Sequence, residues 1–417
     1  MKLRNQLLAL FCLLVFVALG VVYVQTWVVQ RSFAIILFVS DAMVTRHLAT
    51  ARLYEGGSDH RLAIESFPYT AIVANHARDF AVPDAAAAAT ALATGQKVNH
   101  RHLASDHRGS PLRSLLEIGK AKGRAVGLVT NGQLTDPTPA AFYAHVADAR
   151  DPEPIAAQLV DAASLDVALG GGSQWFLPAA GGGKRKDGRD LMGELRRKGR
   201  ALVTNNAELE NASSYQENGI VGFFSEEALA FTESIESATQ EPSLADMVRR
   251  GIQFLETNRK GYVLVVDGAL VTHAAERNEG ERVLIETLAL DRAIAEALRY
   301  AGEKSLVVAV GKHAVGGFSL NGYPLRKDHG VALLGMTPSG YPAITWATGP
   351  NGPPVEPAAA PAPPRVGIAR HETAAFQTPW ALGTVEDVIA AGTGPGTEKL
   401  RGFIDNTRIF ELLEDAL

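Results

Sequence analysis

Two aspartates follow apolar, β-rich runs: Asp41 comes after residues 33–40 and Asp267 after residues 262–266. Lys312 and His313 stand just beyond a third run, residues 306–310. If these runs are strands of one parallel sheet, all four residues gather at carboxyl strand ends, where open α/β sheets keep their chemistry. The groups on offer there are carboxylate, imidazole and ammonium. Thiol chemistry is excluded from the body of the chain, because the sole cysteine, Cys12, lies in the N-terminal apolar run. No disulfide framework, thiolate zinc site or thiol nucleophile can be built without others. His100, His102 and His107 share a polar stretch that reads as a solvated loop. His371-Glu372 is supported as a site by residue type alone.

The elements that must position these groups are legible from periodicity. A fourth apolar run covers residues 125–129, and helix-period segments cover residues 112–122 and 282–300. Continuous apolar strands separated by amphipathic helices predict an α/β fold with a mostly parallel central sheet and helices on both faces. The chain has 417 residues and is 47% hydrophobic, enough for a large packed core. Its 45 acidic residues outnumber its 40 basic ones, for a formal charge of −5, which argues against nucleic acid as a partner. Residues 351–372 enclose a Pro/Ala stretch and read as a surface loop. No internal repeat is visible.

The N-terminus carries a separate signal. Lys2 and Arg4 precede a stretch from Leu7 to Val24 with no charge or amide, and Trp27 sits where an interfacial aromatic belongs. The expectation is a membrane anchor through residues 7–29, its N-terminus cytoplasmic and the main domain exported, facing the periplasm or cell exterior. The alternative is a cleaved signal peptide with Ala18-Leu19-Gly20 as the site, releasing a secreted domain. Residues 1–32 are thus read as the targeting segment and 33–417 as one domain.

Several segments together resemble the alkaline phosphatase family. Ile35 to Met43 is similar to the family's first metal-binding strand and its G-D-G-M-G turn. Pro83-Asp84-Ala85 with the alanines after it resembles D-S-A-A-x-A-T-A, where a serine nucleophile opens a helix. Asp136 to Ala141 with Ala144-His145-Val146 resembles D-A-T-P-A-A…A-H-V. Gly170-Gly171-Gly172, Lys186 to Leu191 and the tail from Gly394 to Thr407 match further stretches in family order. The resemblance implies phosphate-monoester cleavage through a phosphoserine, with two zinc ions, a magnesium and an arginine.

Carried over residue by residue, that machinery is depleted. The nucleophile position is Ala85. In the first zinc site the ligand Asp and His positions hold Thr272 and Glu276, and the histidine of G-H-T-x-E-D-V is deleted between Gly383 and Thr384. In the second, Asp41 and His313 remain, but Lys312 replaces the aspartate of T-A-D-H. The expected role of Lys312 is to supply the positive charge of the missing zinc, pairing with Asp41, because buried carboxylates are costly unpaired. Zinc is therefore not expected. Asp41, Thr138 and Asp267 stand at the magnesium ligands, leaving room either for one magnesium or for a hydrogen-bonded cluster neutralised by Lys312. Arg150 lies one residue beyond the usual spacing of the phosphate-binding arginine. It either reaches the pocket through a bulge or is turned elsewhere by about 100°.

The reading that follows is an exported, membrane-anchored pseudophosphatase with a binding or scaffold role. The resemblance implies a homodimer, and the pseudophosphatase reading adds a dimer with an active relative as the other expectation. Two alternatives stand beside it. One is a phosphate- or anion-binding protein using Lys312, His313 and Arg150; the other is a divergent hydrolase working with a single magnesium-type cation.

Overall fold

The computed structural model describes residues 2–23, 32–40, 44–161, 165–238, 240–302, 304–321, 336, 340–354 and 375–417. Asp41, Trp27, His371, Glu372 and most of the Pro/Ala stretch lie outside the described residues. The chain divides into two compact units, Met1–Ser32 and Phe33–Leu417. In the first, one helix, α1 (Lys2–Tyr23), is long and apolar enough over Leu3–Tyr23 to cross a membrane by length and composition.

The second unit is built on a ten-stranded sheet. In chain order its strands are β1 (Ala34–Ser40), β2 (Tyr69–Ala74), β3 (Ala125–Gln133), β4 (Val167–Gly171), β5 (Ala201–Val203), β6 (Ile220–Phe223), β7 (Tyr262–Gly268), β8 (Leu306–Gly311), β9 (Val388–Thr393) and β10 (Gly402–Asp405). Their spatial order is β10-β2-β9-β8-β1-β7-β3-β4-β6-β5, and only β9 runs against its neighbours. The four runs expected from apolar patterning are β1, β3, β7 and β8, which pair with one another at the sheet's centre.

Both faces of the sheet are covered, which is why the central strands are apolar until their carboxyl ends. Ile35, Leu37 and Val39 of β1 point into one core, beneath α2 (Ala85–Thr94), α3 (Leu115–Ala121) and α9 (Thr407–Asp415). Ala34, Ile36 and Phe38 point into the other, beneath α6 (Leu244–Leu255) and α8 (Gly280–Ala301). Three shorter helices complete the set used below: α4 (Pro137–Ala140), α5 (Thr232–Ala238) and α7 (Leu270–Glu276). Both cores are drawn from residues of the second unit, which is the basis for testing the domain from Phe33 onward by itself. Helix α3 is shorter than residues 112–122 because Ser114 and Glu117 close a capping box that fixes its start.

One buried carboxyl gives this domain a pH signature. Glu286 on α8 is buried and receives the Thr232 backbone N–H at 2.7 Å and its hydroxyl at 3.1 Å, tying down the first turn of α5. Burial dominates over these hydrogen bonds and pushes its pKa up to about 7. The folded state therefore holds a proton that the unfolded chain has released. Stability from this group is complete below about pH 4.5 and is lost as pH rises to about 7, by about 3 kcal/mol in all. Urea unfolding of wild type and Glu286→Gln across that window is expected to show the slope only in wild type. Parallel slopes would remove Glu286 as its source.

Candidate functional site

Helix α2 carries the position where a nucleophile is expected. Asp84 caps it, one carboxylate oxygen accepting from Ala87 N at 2.8 Å and the other from Arg101 N at 2.6 Å. Ala85 is thus presented at the first turn, half-buried, with only a methyl group. The far end is set by Gly95, whose left-handed φ of 69° closes the helix. A Cβ there would lie 2.5 Å from the ring of Phe410 on α9, so only glycine permits this packing.

Above Ala85 opens a cavity of about 540 Å³. Phe80, Val82, Val315, Trp380 and Leu382 supply its large apolar side chains, and Asp84, Glu276, His100 and His313 supply the ionisable groups. No Lys or Arg is among these described lining residues. The histidine at position 100 is therefore not part of a solvated loop. It is half-buried, its Nε2 donates to the Val82 carbonyl at 2.8 Å, and its ring packs on Phe80 with centroids 4.4 Å apart. His107 does stand exposed, against Arg78 at 2.7 Å. Nothing in the local sequence distinguishes the two, because the selection is made by a carbonyl 18 residues away.

Beside the cavity lies a buried polar cluster at the strand ends. Lys312 follows β8, its backbone N–H donating to Ser40 O at 2.9 Å, and its side chain is 1% exposed. Its Nζ donates to Thr138 Oγ1 at 2.6 Å. Thr138, also buried, belongs to α4, which packs on β3 and β7. Asp267, near the end of β7, is 0% exposed and accepts from Thr130 Oγ1 at 2.8 Å. Parallel pairing sets Asp267 beside Val39 and Thr130, which brings β1, β3 and β7 to the cluster in register.

Arg150 is not part of either group. It is exposed and grips Asp148, two residues back, with Nε at 2.9 Å from Oδ1 and its own backbone N–H at 3.1 Å from the same oxygen. The guanidinium holds the Asp148 carboxyl well below the usual range. The extra residue before Arg150 thus places it in a local turn with Asp148. Neither Arg150 nor Lys312 is among the described residues that line the cavity.

The described residues do not fit a dication. At the magnesium position the Thr138 oxygen that would ligate the ion already receives an ammonium, and like charges repel strongly at such range in a buried setting. At the first zinc position Thr272 is buried, with no hydrogen-bond partner for its hydroxyl among the described residues. Among the described residues no three His, Cys, Asp or Glu side chains converge to hold a metal.

Comparison with known proteins gives a consistent picture. The family model described as alkaline phosphatase matches residues 33–417. Alkaline phosphatase 4 of Bacillus subtilis is 28% identical over 422 residues, covering 91% of this chain and 88% of that protein. The human tissue-nonspecific isozyme is 28% identical over 373 residues, covering 76% and 70%. Among solved structures, the enzyme from the Antarctic bacterium TAB5 superposes with a TM-score of 0.73 at 20% identity, covering 93% of this chain and 98% of that one. That of Thermus thermophilus gives 0.72 at 24% identity, covering 93% and 92%. A variant of the TAB5 enzyme has magnesium bound in its M3 site.

Proposed function

The chain belongs to the alkaline phosphatase family through residues 33–417, and from that premise we propose that it is a pseudophosphatase, a member that binds rather than hydrolyses. The observation that carries this reading is the Lys312–Thr138 contact at 2.6 Å. A buried ammonium there does by charge what a metal does in a working site, and it leaves no room for one. Ala85 removes the attacking oxygen as well. Helix α1 supports export, with Lys2 and Arg4 keeping its N-terminal end inside and the domain outside, either anchored or released by cleavage. The binding role includes a dimer, with a second copy as the family resemblance implies, or with an active relative.

The anion-binding alternative is disfavoured by the engagement of Arg150 with Asp148, and the single-magnesium hydrolase by the ammonium on Thr138. The test is metal content and p-nitrophenyl phosphate turnover on one preparation of the domain from Phe33 onward. The expected result is neither zinc nor turnover with any divalent metal. Stoichiometric zinc together with real turnover would overturn the reading and make His273, Glu276 and His371 the first residues to mutate.

A further inference from the structure

We infer that the cavity over Ala85 is a binding site for a small aromatic molecule without negative charge. This rests on reading the chain as a binding member of its family and names the class of ligand. Three observations carry the inference.

The first is size. A volume of about 540 Å³ lies within the range of roughly 300–1,000 Å³ typical of small-ligand pockets. The second is the wall. Phe80 is 57% exposed, Trp380 60% and Leu382 39%, an unusual concentration of exposed large apolar side chains around one opening. The wall is also preformed on one side. The Val82 carbonyl can only accept, so His100 Nε2 carries its proton and the ring is held against Phe80. Flat faces on Phe80 and Trp380 suit a ring system by stacking or edge contact.

The third is charge. The described lining holds the carboxylates of Asp84 and Glu276, with no Lys or Arg. A phosphate dianion entering this space would meet the carboxylates of Asp84 and Glu276, while Lys312 donates to Thr138 and Arg150 grips Asp148. An uncharged ring loses nothing to that field and covers the exposed apolar wall. The polarity of the described lining is therefore the reverse of what a phosphate ester needs.

The test is equilibrium dialysis of the domain from Phe33 onward with 2-naphthol, 2-naphthyl phosphate and inorganic phosphate. The domain rather than the full chain is used because a detergent micelle would itself absorb the naphthol. Saturable one-to-one binding of 2-naphthol, undisturbed by excess phosphate and weaker for the ester, is expected. Ala85→Glu replaces a methyl group at the cavity floor with a long side chain that fills the space a ring would take, and a helix N-terminus tolerates its charge. Leu382→Asp replaces an apolar contact at the exposed rim with a hydrated group. Each is expected to weaken 2-naphthol binding by at least about tenfold, or about 1.4 kcal/mol. Tighter binding of the ester, competition by phosphate, no saturable binding, or binding unchanged in both variants would overturn the inference. Release of 2-naphthol from the ester would instead sink the non-hydrolytic reading, and dialysis of 2-naphthol against Ala85→Glu would still decide the cavity.

Discussion

Ala85→Ser is expected to leave the protein without measurable phosphatase turnover, although it restores the one atom that attacks phosphorus in the family's reaction. Position 85 is the first residue of α2 and half-buried at the cavity floor, so a serine there is well placed and the variant should fold. An oxygen alone is a poor nucleophile until something lowers its pKa and something else stabilises the leaving group. By the family resemblance, Thr272 and Glu276 would stand at two zinc-ligand positions, a third ligand would be deleted before Thr384, and Lys312 would occupy the aspartate position of the second site. With several kcal/mol lost per missing metal contact and about 1.4 kcal/mol per tenfold in rate, the deficit exceeds roughly a million-fold. The check is p-nitrophenyl phosphate turnover of wild type and Ala85→Ser with zinc and magnesium supplied, beside an active family member. A serine variant within about a thousand-fold of that enzyme would mean that a metal clamp persists, and the proposed function would fall.

The sheet was readable in the sequence because its central strands are buried on both faces, and unbroken apolar runs of strand length need no partner to be recognised. β1, β3, β7 and β8 were found this way. β5 and β10 were not: β5 has three residues and β10 exposes Gly402 and Phe403, so neither carries the pattern. The polar cluster was partly legible. Thr138, Asp267 and Lys312 were named from the family resemblance, and Thr138 and Lys312 do meet. Of the cavity, Asp84, Ala85, Glu276 and His313 are named by the family resemblance, but its apolar wall is not legible. Its wall joins Phe80, His100, Trp380 and Leu382 from segments some 300 residues apart, and each alone looks like an ordinary surface residue. Of the two orientations open to Arg150, the structure has it turned to Asp148 two residues back, a contact that the sequence spacing alone does not select.

Lys312→Met is expected to cost about 3–5 kcal/mol of stability, the largest effect of any single change at the site. Methionine fills much of the same volume, so the loss measures charge rather than a cavity. The ammonium is 1% exposed and sits among strand ends whose Asp267 is wholly buried, and removing one partner from such a cluster leaves the other charges uncompensated. Thr138→Val removes the acceptor at 2.6 Å and should cost about 1.5–3 kcal/mol, as for hydrogen bonds to charged groups. The double variant should lose less than the sum, with a coupling of about 1–3 kcal/mol by urea unfolding. A cost for Lys312→Met under about 1 kcal/mol, with no coupling, would show that the lysine is not neutralising anything. The reciprocal change is more telling. Lys312→Asp installs the carboxylate that the family carries at this position and removes the ammonium from Thr138. Without metal it should be less stable than wild type, and with a divalent cation it should recover, because a ligand that binds only the folded state stabilises it by mass action. Wild-type melting should ignore the same metal. A wild type stabilised by metal and an Asp variant indifferent to it would reverse the assignment, since the ammonium and the dication are argued to be alternatives for one place.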